Sequence, residues 1–290
     1  MDPNTSWRLK IGRAKEHLVA LETELRAWVG TNPMAIAKEK DPEGRRHTVF
    51  AEVVNPPPLN RWSLISGDCI HNLRSALDSL LYGIAIHETG LNPPADETAL
   101  QFPITISPAK FKEQKSRIKS LSPAVQSDIL KVQPFNVPHP EHPPVLELLG
   151  LLNNFDKHRT INVMAAIPHN ASIEMIHSDN VATSVTVYRT VVEGKTEILS
   201  FTMEPPDPNL NYTCAAMIVV CVAHPPGPSK SPFSELAGVL HSFIEEVEKI
   251  VDGLEAIVGE MHAAPQGTLS QVAHFVLNKD GRLVTSTGNI

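Results

Sequence analysis

Gly67-Asp68-Cys69-Ile70-His71-Asn72-Leu73-Arg74-Ser75-Ala76-Leu77-Asp78 is the stretch that decides the architecture. Its apolar residues belong to a seam, Ile70, Leu73, Leu77, Leu80 and Ile84, whose steps of three and four predict a helix over about 66–88 with one buried face. Ser66 or Asp68 is placed to cap its start, and Gly90 with Pro93-Pro94 stands beyond its end. On a helix turning about 100° per residue, the row His71, Arg74, Asp78 lies about 110° from the seam, at the shoulder of the buried face. Charged groups there need partners, because an unpaired charge against apolar surroundings is costly.

The same periodicity recurs outward along the chain. Trp7, Ile11, Ala14, Leu18, Leu21, Leu25 and Trp28 predict a helix over about 5–29, closed by Gly30 and Asn32-Pro33. Leu236, Leu240, Phe243, Val247, Ile250, Leu254 and Ile257 predict another over about 232–260, started by Ser231-Pro232, where proline's missing N–H costs nothing. A fourth helix is expected over about 144–156. After it the period changes to two: Thr160 to Ile167, Ala171 to His177, Thr183 to Val192, Thr196 to Met203 and Thr213 to Val222 are rich in β-branched residues and divided by turn formers. They predict an antiparallel meander over 160–222, with a further hairpin over about 270–286 around Asn278-Lys279-Asp280-Gly281. Residues 31–60 and 88–143 read as proline-punctuated connectors with short helices at most, such as 108–118 and 122–131. The fold class expected is α+β over 1–290 as a single domain, an antiparallel helical bundle with an inserted antiparallel β-meander.

Charge is unevenly spread. Residues 1–159 hold 19 Lys/Arg against 18 Asp/Glu and residues 160–290 hold 6 against 14, which excludes a wholesale polyanion binder. Lys110, Lys112, Lys115, Arg117 and Lys119 still form a local basic run, equally well explained as a solvated helix face. Three cysteines make no disulfide scaffold: on one strand, Cys214 and Cys221 would point to opposite faces, roughly 23 Å apart. The most apolar run, Thr213 to Ala223, falls short of the roughly 20 residues that span a bilayer, and the start of the chain lacks a signal layout. A cytoplasmic protein with no membrane association is expected, and an exposed seam would make it a homo-oligomer, most simply a homodimer.

A second segment, Asn153-Asn154-Phe155-Asp156-Lys157-His158-Arg159, ends the fourth helix with charge that the helix itself does not need. We expect His71, Arg74, Asp78, Asp156 and His158 to converge, with His17, Asn72, Lys157 and Arg159 around them. Three roles fit such a group. It is an ion-pair network that fixes helix register. Alternatively it is a metal-independent phosphodiesterase or an RNA- or nucleotide-binding site, in which a histidine transfers protons while Arg74, Lys157 or Arg159 binds phosphate and an asparagine orients an oxygen; this needs no cofactor. As a third alternative, His17, His71, Asp78, Asp156 and His158 are acceptable metal ligands, although no His-Glu-x-x-His or Cys-x-x-Cys spacing is present and Arg74 would repel a cation. Gly227-Pro228-Ser229-Lys230-Ser231 lacks the glycine and the N–H groups of a phosphate loop. No Gly-x-Ser-x-Gly elbow or dinucleotide fingerprint occurs.

Together these segments resemble a bacterial family that pairs a Gly-Asp-x-x-His-Asn-Leu-Arg-Ser-Ala-Leu-Asp helix with a later Asn-x-x-Asp-Lys-His-Arg. Glu16-His17, Phe102-Pro103-Ile104 and Gln133-Pro134-Phe135 belong to the same pattern, and the likeness covers roughly residues 5–165. It carries no activity with it. More distantly, the chain is similar to the helical ribonuclease domains known as HEPN domains, whose motif is an arginine followed after four to six residues by a histidine. The nearest approach here, Arg13-x-x-x-His17, is one residue short, and the segment before His158 lacks the arginine. The resemblance therefore implies the fold more than the chemistry.

Overall fold

The computed structural model describes residues 6–137, 143–157, 159–167, 171–176, 181–188, 190–224, 233–263, 274–277 and 283–286. The chain is α+β, with six helices and antiparallel sheets among the described residues. The long helices are α1 (Ser6–Val29), α2 (Leu59–Thr89), α5 (Val145–Asp156) and α6 (Leu236–Ala263). Two short ones, α3 (Pro108–Gln114), continued by a 3-10 turn over Lys115–Ile118, and α4 (Pro123–Lys131), fall where short helices are expected. Each begins with a serine that accepts a backbone N–H and a proline in the first turn: Ser107 caps α3 and Ser122 caps α4.

Side-chain contacts fix how the long helices run. Trp7 meets Gly83, Cys69 donates to the Ala14 carbonyl at 3.4 Å, and Arg61 grips Glu24, so α1 is antiparallel to α2. Arg8 pairs with Asp252 and Glu255, Lys15 with Glu248, and His241 with Glu22, so α1 is antiparallel to α6 as well. The first contact is the tightest. A Cβ built on Gly83 would lie 2.3 Å from Cζ3 of Trp7, a ring also tied by its indole N–H to Glu255 at 2.6 Å. Gly83→Ala must push that ring or the helix aside, and a loss of roughly 1–3 kcal/mol in chemical denaturation is expected. An unchanged midpoint would mean that Trp7 has room to move. Cys69, sealed in this interface, has its thiol pushed up to about 12 by burial and serves as an apolar filler.

Strands depart from the expected meander. They are β1 (Met34–Lys40), β2 (Arg46–Val53), β3 (Val163–Ile167), β4 (Ser172–Ile176), β5 (Val181–Val187), β6 (Thr190–Val191), β7 (Thr196–Glu204), β8 (Asn211–Ala215), β9 (Val219–Ala223), β10 (Phe233–Glu235), β11 (His274–Leu277) and β12 (Leu283–Ser286). They pair in the orders β1-β2-β7-β5, β10-β9-β3-β6, β4-β8 and β11-β12, so most neighbours are not consecutive in sequence. The run Thr213 to Val222 breaks into β8 and β9, which join different sheets and carry Cys214 and Cys221 apart. The tail hairpin pairs with itself, and its turn lies outside the described residues.

Three further corrections concern a missed hairpin and the starts of two helices. Residues 34–53 form a hairpin, not a connector: β2 buries the alternate residues His47, Val49 and Ala51, but a histidine and an alanine hide the apolar period. Helix α2 starts at Leu59, about two turns before Ser66, because Trp62, Ser63 and Ser66 are buried and Ser63 donates to the Ile161 carbonyl at 2.7 Å. β10 occupies the place expected for the start of the last helix, and Ser231-Pro232 lies outside the described residues. One apolar core runs from Leu73, Leu77 and Leu240 on the helices to Val163, Leu199 and Val222 on the strands.

Candidate functional site

Arg74 stands on the shoulder of α2, as its spacing requires, and is only 8% exposed. Its Nη2 donates to the Phe102 carbonyl at 2.7 Å and lies 3.1 Å from Oδ1 of Asp78. The same Oδ1 accepts the Phe102 N–H at 2.8 Å, so the backbone of one residue is held at both its N–H and its carbonyl by an i, i+4 pair. Burial lowers the Arg74 pKa, Asp78 opposes this, and the nearby cation of Arg117 adds to it. Burial likewise raises the Asp78 pKa, against the pull of Arg74, the Phe102 N–H, Lys157 and Lys10. Both shifts point the same way: the pair does not fully repay its desolvation.

Gln133 holds the Phe102 segment from its other side. Fully buried, it accepts from the Thr105 N–H and hydroxyl, each at 3.0 Å, and donates to the carbonyls of Pro103 at 2.9 Å and Ile129 at 3.0 Å. Phe102-Pro103-Ile104 and Gln133-Pro134-Phe135 are thus one unit, a strip of backbone suspended between a buried glutamine and the Arg74–Asp78 pair.

Arg74 also lines a cavity of about 370 Å³ between α2, α5 and residues 101–117. Its other amino group, Nη1, is buried and has no hydrogen-bond partner. Residues before and within α3 and its 3-10 turn contribute Gln101, Ile104, Ile106, Gln114 and Arg117, while α5 and its C-cap contribute Glu147, Gly150, Leu151, Asn153, Asn154 and Lys157. Glu147 and Asn153 are 9% and 3% exposed, so α5 turns polar groups inward where its apolar neighbours would lead one to expect packing. Three cations against one lining carboxylate, with Arg74 partly offset by Asp78, leave the cavity cationic.

The two motif segments meet, but their residues divide between two faces. Of the candidates, Arg74 and Lys157 line the cavity, and Asp78 backs it through Arg74. Asp156 lies over Gly67, where an added Cβ would fall 2.7 Å from Oδ1, and it feels Asp68 and His71. His71 is exposed and does not line the cavity. Asn72 donates to the Asp68 carbonyl at 2.8 Å within its own helix, and the exposed Arg159 sits 5.8 Å from the centre of the Phe155 ring. His17 is half-buried on α1, away from the cavity lining, and His158 lies outside the described residues. Among the described residues no three His, Cys, Asp or Glu side chains group to hold a metal, and no helix is long and apolar enough to cross a membrane.

Asp156 gives a pH-dependent expectation. Burial and then Asp68 raise its pKa, with His71 opposing. The folded state therefore holds a proton that the unfolded chain has lost, and this contribution weakens stability as pH rises from the ordinary carboxylate range, about 4, through the raised value. Asp156→Asn should melt higher than wild type at neutral pH, with the gap closing below about pH 4. A gap independent of pH would show that the charge is not its cause.

Gln101, Gln114, Arg117, Glu147, Asn153 and Asn154 were not among the candidates. Arg117 was visible only as part of the basic run, and the two asparagines only as the start of the second motif. Glu147 left the clearest signal, a single acid within Val145-Leu146-Glu147-Leu148-Leu149. In comparisons with known proteins, no family model, no curated protein and no solved structure matches this chain.

Proposed function

We propose that the protein binds a small phosphate-bearing, nucleotide-like ligand in the cavity beside Arg74, without a cofactor. The observation that carries this is the buried Nη1 of Arg74, left without a partner while Nη2 is fully engaged. A buried guanidinium N–H is a strong donor for an oxyanion, and a phosphate would relieve the mutual repulsion of Arg74 and Arg117. Lys157 adds a third positive charge, and the volume, about 370 Å³, falls in the roughly 300–1,000 Å³ range of small-molecule sites. Half of the Arg74 guanidinium serves the scaffold and half serves the ligand, so the register-fixing role and the binding role coexist. We take α1, α2, α5 and α6 as a HEPN-like bundle, supported by the antiparallel contacts of α1, and the protein as a cytoplasmic homodimer, which light scattering over a concentration series will test.

Calorimetric titration with inorganic phosphate and AMP tests the site. Arg117→Gln and Lys157→Gln should each weaken binding about tenfold or more, since hydrogen bonds to charged groups contribute roughly 1.5–3 kcal/mol. Lys157 is exposed and Arg117 only half-buried, so melting temperatures should hardly move. Unaltered affinity in both variants would place the anion elsewhere.

A further inference from the structure

A second residue of the cavity lining carries an unpartnered group, and it has the opposite polarity. Oε1 of Gln114, at the end of α3, is buried without a hydrogen-bond partner. Glu147 stands in the same lining, so the lining residues carry two acceptors besides their cations. Resting on the anion-binding reading, we infer that the ligand is a hydroxylated phosphomonoester, a sugar phosphate or the ribose phosphate of a nucleotide. Its phosphate meets Arg74, Arg117 and Lys157, and a hydroxyl donates to Gln114 and Glu147.

The chemistry of the wall narrows the donor. The ionised phosphate group of a monoester, which carries only acceptor oxygens, satisfies the orphan N–H of Arg74 but offers nothing to an orphan carbonyl oxygen, which needs an O–H or N–H. An ammonium group would supply that donor, but three cations in one small cavity oppose a fourth. A neutral hydroxyl meets no such penalty. Gln101, Asn153 and Asn154 supply carboxamides, each able both to donate and to accept, which suits a ligand carrying several hydroxyls. A site built to pair with a hydroxyl discriminates strongly against the analogue that lacks it, because its own buried group is then left unpaired.

Calorimetry on the full chain with five probes, inorganic phosphate, propyl phosphate, glycerol 3-phosphate, ribose 5-phosphate and AMP, separates the possibilities. Glycerol 3-phosphate and ribose 5-phosphate should bind roughly tenfold or more tightly than propyl phosphate. Gln114→Leu should shrink that preference to about twofold. Should that variant fold poorly, Gln114→Ala repeats the comparison, and the wild-type ratio stands by itself. A tighter AMP complex assigns the ribose to a nucleotide, and a tighter ribose 5-phosphate complex assigns it to a free sugar phosphate. Equal affinity for propyl phosphate and its hydroxylated analogues overturns this inference but leaves the phosphate site intact. Failure of wild type to bind any of the five overturns both.

Discussion

Asp78→Ala is expected to destabilise the protein by roughly 3 kcal/mol, the lower end of what removing one member of a buried ion pair costs. The lower end applies because the Asp78 side chain is one-third exposed, whereas that of Arg74 is 10% exposed. Three losses combine. Arg74 stays buried without its counter-charge, the Phe102 N–H loses its acceptor, and Lys10, which is held to Ser75 at 2.7 Å and Ser79 at 2.5 Å, loses a nearby carboxylate. Asp78→Asn separates the charge from the hydrogen bond, because its amide oxygen can still accept from Phe102. Because burial outweighs the cations around it and raises the Asp78 pKa, the charge itself adds no stability at neutral pH, so urea denaturation should place Asp78→Asn close to wild type and Asp78→Ala below both. Equal midpoints for Asp78→Ala and wild type would show that solvent already compensates Arg74.

Gln133→Leu should cost a similar amount, roughly 2–4 kcal/mol, even though leucine preserves most of the volume. The glutamine amide closes four hydrogen bonds in a site with no solvent exposure, and leucine replaces none of them. The Thr105 N–H and the Pro103 and Ile129 carbonyls would be left without these partners, and buried groups so stranded bear their full desolvation cost. A consequence at the cavity follows. Phe102 belongs to the same strip of backbone and anchors Nη2 of Arg74, so loosening the strip should also weaken phosphate binding. If stability falls and phosphate affinity does not, the strip supports the fold without positioning Arg74 for the ligand.

The helices were legible because their seams are long and uninterrupted: Trp7 to Trp28 and Leu236 to Ile257 place an apolar residue at nearly every third or fourth position. Strand existence was legible over much of 160–222, but strand order was not, since pairing such as β3 with β9 or β2 with β7 depends on contacts far apart in sequence. The β1–β2 hairpin leaves little trace in the sequence because β1 buries little of its surface and β2 places His47 and Ala51 in two of its three buried positions. At the site, Arg74 and Lys157 stood out as charges at the edge of apolar helices. Gln101, Gln114 and Gln133 did not, because an amide between connectors looks the same whether solvated or buried. Only the fold shows that Gln133 is sealed with four partners while the Gln114 oxygen is sealed with none.

The central claim is that an oxyanion occupies the space beside the free amino group of Arg74, and locating one there tests it most directly. Crystals soaked in tungstate, an oxyanion shaped like phosphate whose anomalous scattering marks its position, should show a peak within hydrogen-bonding distance, about 3 Å, of Arg74 Nη1, with Arg117 and Lys157 turned towards it. Inorganic phosphate should displace it. A cavity that stays empty while tungstate settles elsewhere on the chain would contradict the account.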